Sequence, residues 1–419
     1  MDIPRVCTRW NRIATNTPSL WSHVDINPSD YFFAAALKRA QIQLKYCRSM
    51  PVQLHLYDMS GIDRNSGQEI LEVIQSRGGR LGSLIVTNIW YNSSVQAFLG
   101  SMVSHTMSNS LRTLLIHGAQ DGSGQRTIDS LPVTSLCGLT VLDLWDLSRN
   151  IHPSVDGIVE LLPHCSALHT LRLRFLEFSP DLLQSHQIVS LPQLRFLEIL
   201  GVNRTAVLSL LSKLNSGGLE LDVRLKVEYI GADGLDSPGQ LFLARSNVVS
   251  LSINRSTDRN FIQRPVTDFT FVPRLRMLQL DSVRLAQDLA LVLETTVDDR
   301  LSFQLPYLQC LCLVEWSIGP QAITLIEQIL RRKKLRHLAF RDCRYLSDFT
   351  RNDDGNKESD PISGYDSDVG FYNYQKKMPQ RMRDWLLERV GGVVVVEEYD
   401  DDRVYHGVDL FVQNLIILE

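Results

Sequence analysis

In Leu168–Leu176 the apolar residues fall at the first, fourth, sixth and ninth places (Leu168, Leu171, Leu173, Leu176). Successive side chains on a strand point to opposite faces. This stretch therefore predicts a strand with Leu171 and Leu173 on a core and Thr170, Arg172 and Arg174 turned the other way. The pattern opens again at Leu81, Leu111, Leu139, Leu194, Val248, Leu275, Leu308 and Leu335. The spacing is about 28 residues, with one double gap between Leu194 and Val248. Inside that gap Leu219, Leu221, Val223, Leu225 and Val227 alternate with Glu220, Asp222, Arg224, Lys226 and Glu228, which supplies the missing strand with a register open by two residues.

Helical periodicity fills the intervals. Ile158, Leu161 and Leu162 share one face in 155–165, Val207, Leu210, Leu211 and Leu214 in 204–214, and Ile323, Ile326 and Leu330 in 320–330. Further helices are expected over 31–50, 67–77 and 378–390, and a first strand at Val52, Leu54 and Leu56. A strand–turn–helix unit of this length cannot bury its own apolar stripe, so neighbours must stack. The fold expected is α/β, a leucine-rich repeat solenoid with parallel strands on the concave face and helices on the convex face. The organisation expected is a helical segment at 1–26, capping helices and a first strand at 27–80, repeats at 81–349, a disordered acidic insertion at 350–375, and a helix with strands closing the sheet at 376–419.

The N-terminal segment has its own signature. Val6, Trp10, Ile13 and Ala14 lie at helical spacing, Pro18 ends the helix, and Leu20 with Trp21 is placed to fold back. Val6-Cys7-Thr8-Arg9-Trp10 followed by Thr17-Pro18-Ser19-Leu20-Trp21 resembles the second half of an F-box, in a form used by fungal F-box/leucine-rich repeat proteins. The likeness covers only residues 6–24. It implies that Val6, Cys7, Trp10, Ile13, Pro18, Leu20 and Trp21 contact a Skp1-type adaptor of a cullin ubiquitin ligase, and that the repeats present a target protein. The family's first helix, of Leu-Pro-x-Glu-Ile-Leu type, has no counterpart here. Adaptor binding is thus expected only if the F-box is completed upstream; otherwise the segment is vestigial, a cap on the array, and the chain an interaction scaffold.

Composition narrows the classes. Of 419 residues 44% are hydrophobic, enough for a large core, and the formal net charge is only -4. Neither nucleic acid nor an anionic membrane is expected as a partner. No apolar run approaches the roughly 18 residues a membrane span requires. Seven scattered cysteines and no secretory leader suit reduced thiols and a cytoplasmic or nuclear location, with a monomer expected outside any complex.

Signs of chemistry are few. No phosphate-binding glycine loop, nucleophile elbow or metalloprotease helix is present. Cys310 and Cys312, expected on the outward face of one strand, have no recurring partner at ligand spacing. The expectation is therefore no catalytic residue, no metal and no cofactor. Arg331–Lys334 reads as cations at a helix C-terminus, with a nuclear-localisation or acidic-partner role as the alternative. On the outward strand positions Asp143, Arg172 and Glu198 should form an alternating charge ladder. Trp145, Arg174 and Phe196 remain as the anchors expected to hold a target.

Overall fold

A computed structural model of the chain describes residues 8–59, 62–75, 81–89, 98, 101, 110–118, 136–145, 155–176, 188–226, 238–254, 271–281, 305–315, 317–318, 326, 330, 335–341, 343–346, 374–375, 378, 380–389 and 393–397. Two compact units divide it, one running essentially from the N-terminus to Leu251 and the other from Leu275 onward. Both are α/β with a parallel main sheet, and the second also holds an antiparallel pair, 344–346 with 374–375.

The first unit starts with helix α1 (Thr8–Thr15) and a 3-10 turn, Pro18–Trp21. Strand β1 (His23–Ile26), helix α2 (Phe33–Cys47), β2 (Val52–Tyr57), α3 (Arg64–Gln75), β3 (Leu81–Ile89), β4 (Thr113–Gly118) and β5 (Val141–Trp145) follow. Then come α4 (Val155–Leu161), β6 (Thr170–Arg174), β7 (Val189–Ser190), β8 (Phe196–Leu200), α5 (Arg204–Lys213), β9 (Leu214–Asn215), β10 (Leu221–Lys226), α6 (Pro238–Arg245) and β11 (Val248–Asn254). The sheet order is β1-β2-β3-β4-β5-β6-β8-β10-β11, while β7 and β9 make a separate small pair. Here the structure corrects one expectation. The sheet begins within the segment read as wholly helical, because Val24 and Ile26 are buried in alternation and β1 pairs in parallel with β2.

In the second unit β12 (Met277–Asp281), β13 (Cys310–Val314), β15 (His337–Arg341) and β18 (Val393–Glu397) form a parallel sheet in that order. Strands β14 (Ser317–Ile318), β16 (Arg344–Leu346) and β17 (Tyr374–Gln375) form another, and helix α7 spans Gln380–Arg389. The acidic insertion lies outside the described residues except for β17, as do Arg331–Lys334, the run 410–418 and all of the 320–330 helix but Ile326 and Leu330.

Each apolar residue that opens the nine-place pattern is buried, from Leu81 to Leu335, whereas Glu220, which opens the β10 repeat, is exposed. At the second place the backbone carries the pairing from repeat to repeat. Arg112 N–H donates to Gly82 O (2.8 Å), Thr140 to Arg112 (2.7 Å), His169 to Thr140 (2.8 Å) and Arg195 to His169 (2.9 Å). The second unit repeats the device, Gln309 N–H to Arg276 O (2.8 Å) and Arg336 N–H to Gln309 O (2.7 Å).

A shared turn leaves the strands. Asp58, Phe175, Gly201 and Glu315, each next after a strand, all have positive φ, between 51° and 64°. Three of them donate their N–H to the end of the next strand: Asp58 to Thr87 O, Phe175 to Leu200 O and Glu315 to Arg341 O. Only Gly201 takes this conformation without strain.

Helix ends are matched to the pattern too. Asn203 caps α5 by accepting from the Ala206 N–H (2.8 Å). At its other end Arg245 Nη2 donates to Leu211 O (2.5 Å), Ser212 O (3.1 Å) and Leu214 O (2.7 Å), occupying carbonyls the helix leaves unpaired.

Candidate functional site

Two surfaces carry residues singled out by the sequence, both in the first unit. At the N-terminus Trp21 is buried, its Nε1 donating to Ala14 O (2.5 Å) and its ring 5.0 Å from that of Tyr46 on α2. Ala14 is buried as well. The pair fastens α1 and the 3-10 turn to the fold, with Pro18 starting that turn. Trp10 (51%), Ile13 (41%) and Leu20 (49%) remain exposed. The segment thus divides its apolar residues between inward anchors and an outward patch. Val6 and Cys7 lie outside the described residues.

The second surface is the sheet face opposite the leucine core, over β4 to β10. Register aligns Asp143, Arg172, Glu198 and Arg224 in one row across β5, β6, β8 and β10. The expected ladder is present: Arg172 Nη1 lies 3.6 Å from Asp143 Oδ2, and Arg172 Nε lies 3.5 Å from Glu198 Oε2. Arg174 belongs to it as well. Its Nη2 sits 3.1 Å from Glu198 Oε2 and 3.7 Å from Asp143 Oδ2. The two arginines bridge the same two carboxylates, so Arg174 is not the separate cation the sequence suggested.

The three expected anchors do not form one cluster. Trp145 pairs in register with Arg174 and packs edge-on against His117, ring centroids 5.1 Å apart. It remains exposed, at 36%. Phe196 stands four places earlier along β8 and is half-buried, its ring covered by the guanidinium groups of Arg172 (5.0 Å) and Arg224 (4.8 Å).

Arg224, Lys226 and Asp222 join this face although the sequence left their register open. Pairing of Asp222 with Phe196 and of Arg224 with Glu198 settles it. The signal was weak because Glu220, not leucine, falls at the first place of that repeat. Asp222 accepts from Ser250 Oγ (2.9 Å). Burial pushes its carboxyl above the ordinary range, against the opposing pull of Arg224 and Ser250.

His117 completes the cluster, Nε2 3.9 Å from Asp143 Oδ1. Burial holds its pKa below the ordinary 6.5; Asp143 pulls the other way, while Arg174, His55 and Arg172 add to the lowering. Toward the N-terminal edge Asp25 Oδ1 meets both His23 Nε2 (3.1 Å) and His55 Nδ1 (3.3 Å). Among the described residues no group of three or more His, Cys, Asp or Glu is arranged to hold a metal ion.

The thiols differ from expectation in one respect. Cys310 and Cys312, expected outward, are buried, with Cys312, Val314 and Ala339 packed together on β13 and β15. Burial pushes the Cys310 thiol up to about 11. Cys165, its Sγ donating to Leu161 O (3.6 Å), is pushed up to about 12, mainly by burial. Neither offers a thiolate near neutral pH. Cys343, at the ninth place of its repeat, is buried and donates to Leu313 O (3.4 Å).

No described helix is long and apolar enough to cross a membrane. No protein-family model matches the chain, and a search of curated proteins returns no significant match.

Proposed function

We propose that the chain is a substrate-recognition subunit of a Skp1–cullin–F-box ubiquitin ligase, with an F-box/leucine-rich repeat architecture. The N-terminal segment engages the adaptor and the sheet face engages a target protein. Parallel strands at a period of about 28 residues, most of them opened by a buried leucine, support the solenoid reading. So does the shared left-handed turn after the strands. In such a solenoid the face of Asp143, Arg172 and Trp145 is the concave one.

The observation that carries the adaptor role is the split of the N-terminal segment. Trp21 and Ala14 fix it to the fold while Trp10, Ile13 and Leu20 stay outward. Large apolar side chains held rigidly at a surface are what a partner's pocket selects. The chain supplies address and its ligase partners supply chemistry, so no catalytic residue is assigned to it. Co-purification with Skp1, using a chain extended upstream of Met1, tests the reading. Capture that disappears on replacing Trp10 and Leu20 by Ala supports it. An extended chain that captures no Skp1 leaves an interaction scaffold with a vestigial F-box.

A further inference from the structure

The charged face is asymmetric in a way its composition does not reveal. Beneath it the carboxylates are almost wholly enclosed, Asp143 at 4% and Glu198 at 5% side-chain exposure. The guanidinium side chains above them keep more, Arg172 at 19% and Arg174 at 24%. An approaching molecule meets cations, with the compensating anions hidden below. On β10 Arg224 (9%) and Lys226 (8%) are buried, so the cations that reach solvent are those of β6.

We propose that this face binds an acidic segment of a target protein. One of its carboxylates docks on the solvent-reaching side of Arg172 and Arg174 while an adjacent apolar side chain lies on Trp145. The inference rests on the reading of this face as the target-binding surface, and adds the chemistry it selects.

Three features support that occupant. Arginine carries five N–H donors in a planar fork, and Arg174 makes both its ion pairs through Nη2, so the fork is not saturated. The buried carboxylates already hold both guanidinium groups in place, which lowers the ordering cost of binding. Trp145, held edge-on by His117 beside Arg174, supplies a rigid apolar platform at the edge of the charge. Nucleic acid fits poorly, since its affinity comes from many exposed cations along a backbone and here carboxylates are interspersed.

The test is fluorescence anisotropy on the full chain with a fluorescein-labelled peptide of alternating Glu and Leu. A Lys–Leu peptide of equal length and a single-stranded oligonucleotide serve as comparators. The expected result is binding of the Glu–Leu peptide alone, weakened at high salt by screening. Trp145→Ala should weaken it about tenfold or more. Arg174→Gln with Glu198→Gln, which removes the exposed cation and leaves net charge unchanged, should do the same. If that pair fails to fold, Trp145→Ala decides by itself, since its side chain is exposed. Equal binding of either comparator, or a folded Trp145→Ala protein that binds unchanged, overturns the proposal. Skp1 capture reads the other surface. Skp1 binding without peptide binding defeats this inference only, and peptide binding without Skp1 binding defeats the ligase reading only.

Discussion

Arg174 on β6 leans across to Glu198 on β8, Nη2 to Oε2 at 3.1 Å, and the carboxylate it meets is almost wholly buried. Removing one partner of such a pair leaves a charge enclosed without compensation, which costs about 3–5 kcal/mol in fully buried cases. Arg174 is partly exposed and Arg172 stays beside Glu198, so Arg174→Ala should cost about 2 kcal/mol. Arg174→Ala with Glu198→Gln should recover most of that loss, because no charge is then stranded. Urea unfolding of the four proteins of the cycle measures it. Additive losses would show that the pair does not interact.

Acidification should weaken the fold through His117. Its folded pKa lies below the ordinary 6.5 because burial disfavours the imidazolium. The unfolded chain therefore binds the proton first as pH falls. The contribution to stability is complete above pH 6.5 and is lost as pH drops through the folded value. Thermal melting from pH 7 to pH 5 should show a smaller decline for His117→Gln than for the parent.

Asp222 works in the opposite sense. Burial raises its carboxyl above the usual 3.8, outweighing Arg224 and Ser250. The folded chain then holds the proton more tightly, and stability is lost as pH rises through the folded value. Asp222→Asn keeps an acceptor for Ser250 and removes the buried charge. Its melting temperature should exceed the parent's at pH 7, with the gap closing toward pH 4. A lower melting temperature at pH 7 would mean that attraction to Arg224 outweighs desolvation.

Gly201 lies under the ring of Phe175, and both have positive φ (64° and 51°). A Cβ at Gly201 would overlap that ring, and the left-handed conformation adds about 1–2 kcal/mol. Gly201→Ala should therefore destabilise by about 2–3 kcal/mol. Phe175→Gly, by relieving its own backbone and vacating the space, should rescue part of it in the double variant. Denaturant midpoints of the singles and the double report the coupling.

Stability and adaptor capture should separate at the N-terminus. Trp21→Ala removes a buried ring and its hydrogen bond to Ala14 and should cost about 3 kcal/mol. Trp10→Ala and Leu20→Ala, at exposed positions, should cost under about 1 kcal/mol while abolishing Skp1 capture by an extended chain. Melting curves and pull-downs on the same preparations check both halves.

Much of the fold was legible in the chain because its repeats are local and redundant. From Leu81 to Leu335 every leucine or valine read as opening a repeat outside 219–228 is buried, since parallel neighbours impose one inward set on the strands. The ladder of Asp143, Arg172 and Glu198 followed from position alone. The first strand was missed because His23–Ile26 has two inward residues only, too few for a periodic signal, and is identified by pairing with β2.

Which face a residue takes was therefore determined by the sequence; what it touches there was decided by tertiary structure. Long, flexible side chains reach partners that strand position does not specify. Arg174 bends to carboxylates in the neighbouring row, Phe196 is covered by two arginines, and Cys310 and Cys312 are enclosed although alternation turns them away from the leucines of their strand. Alternation along a strand orders side chains by direction, whereas burial and charge pairing depend on neighbours brought together from repeats far apart in the chain.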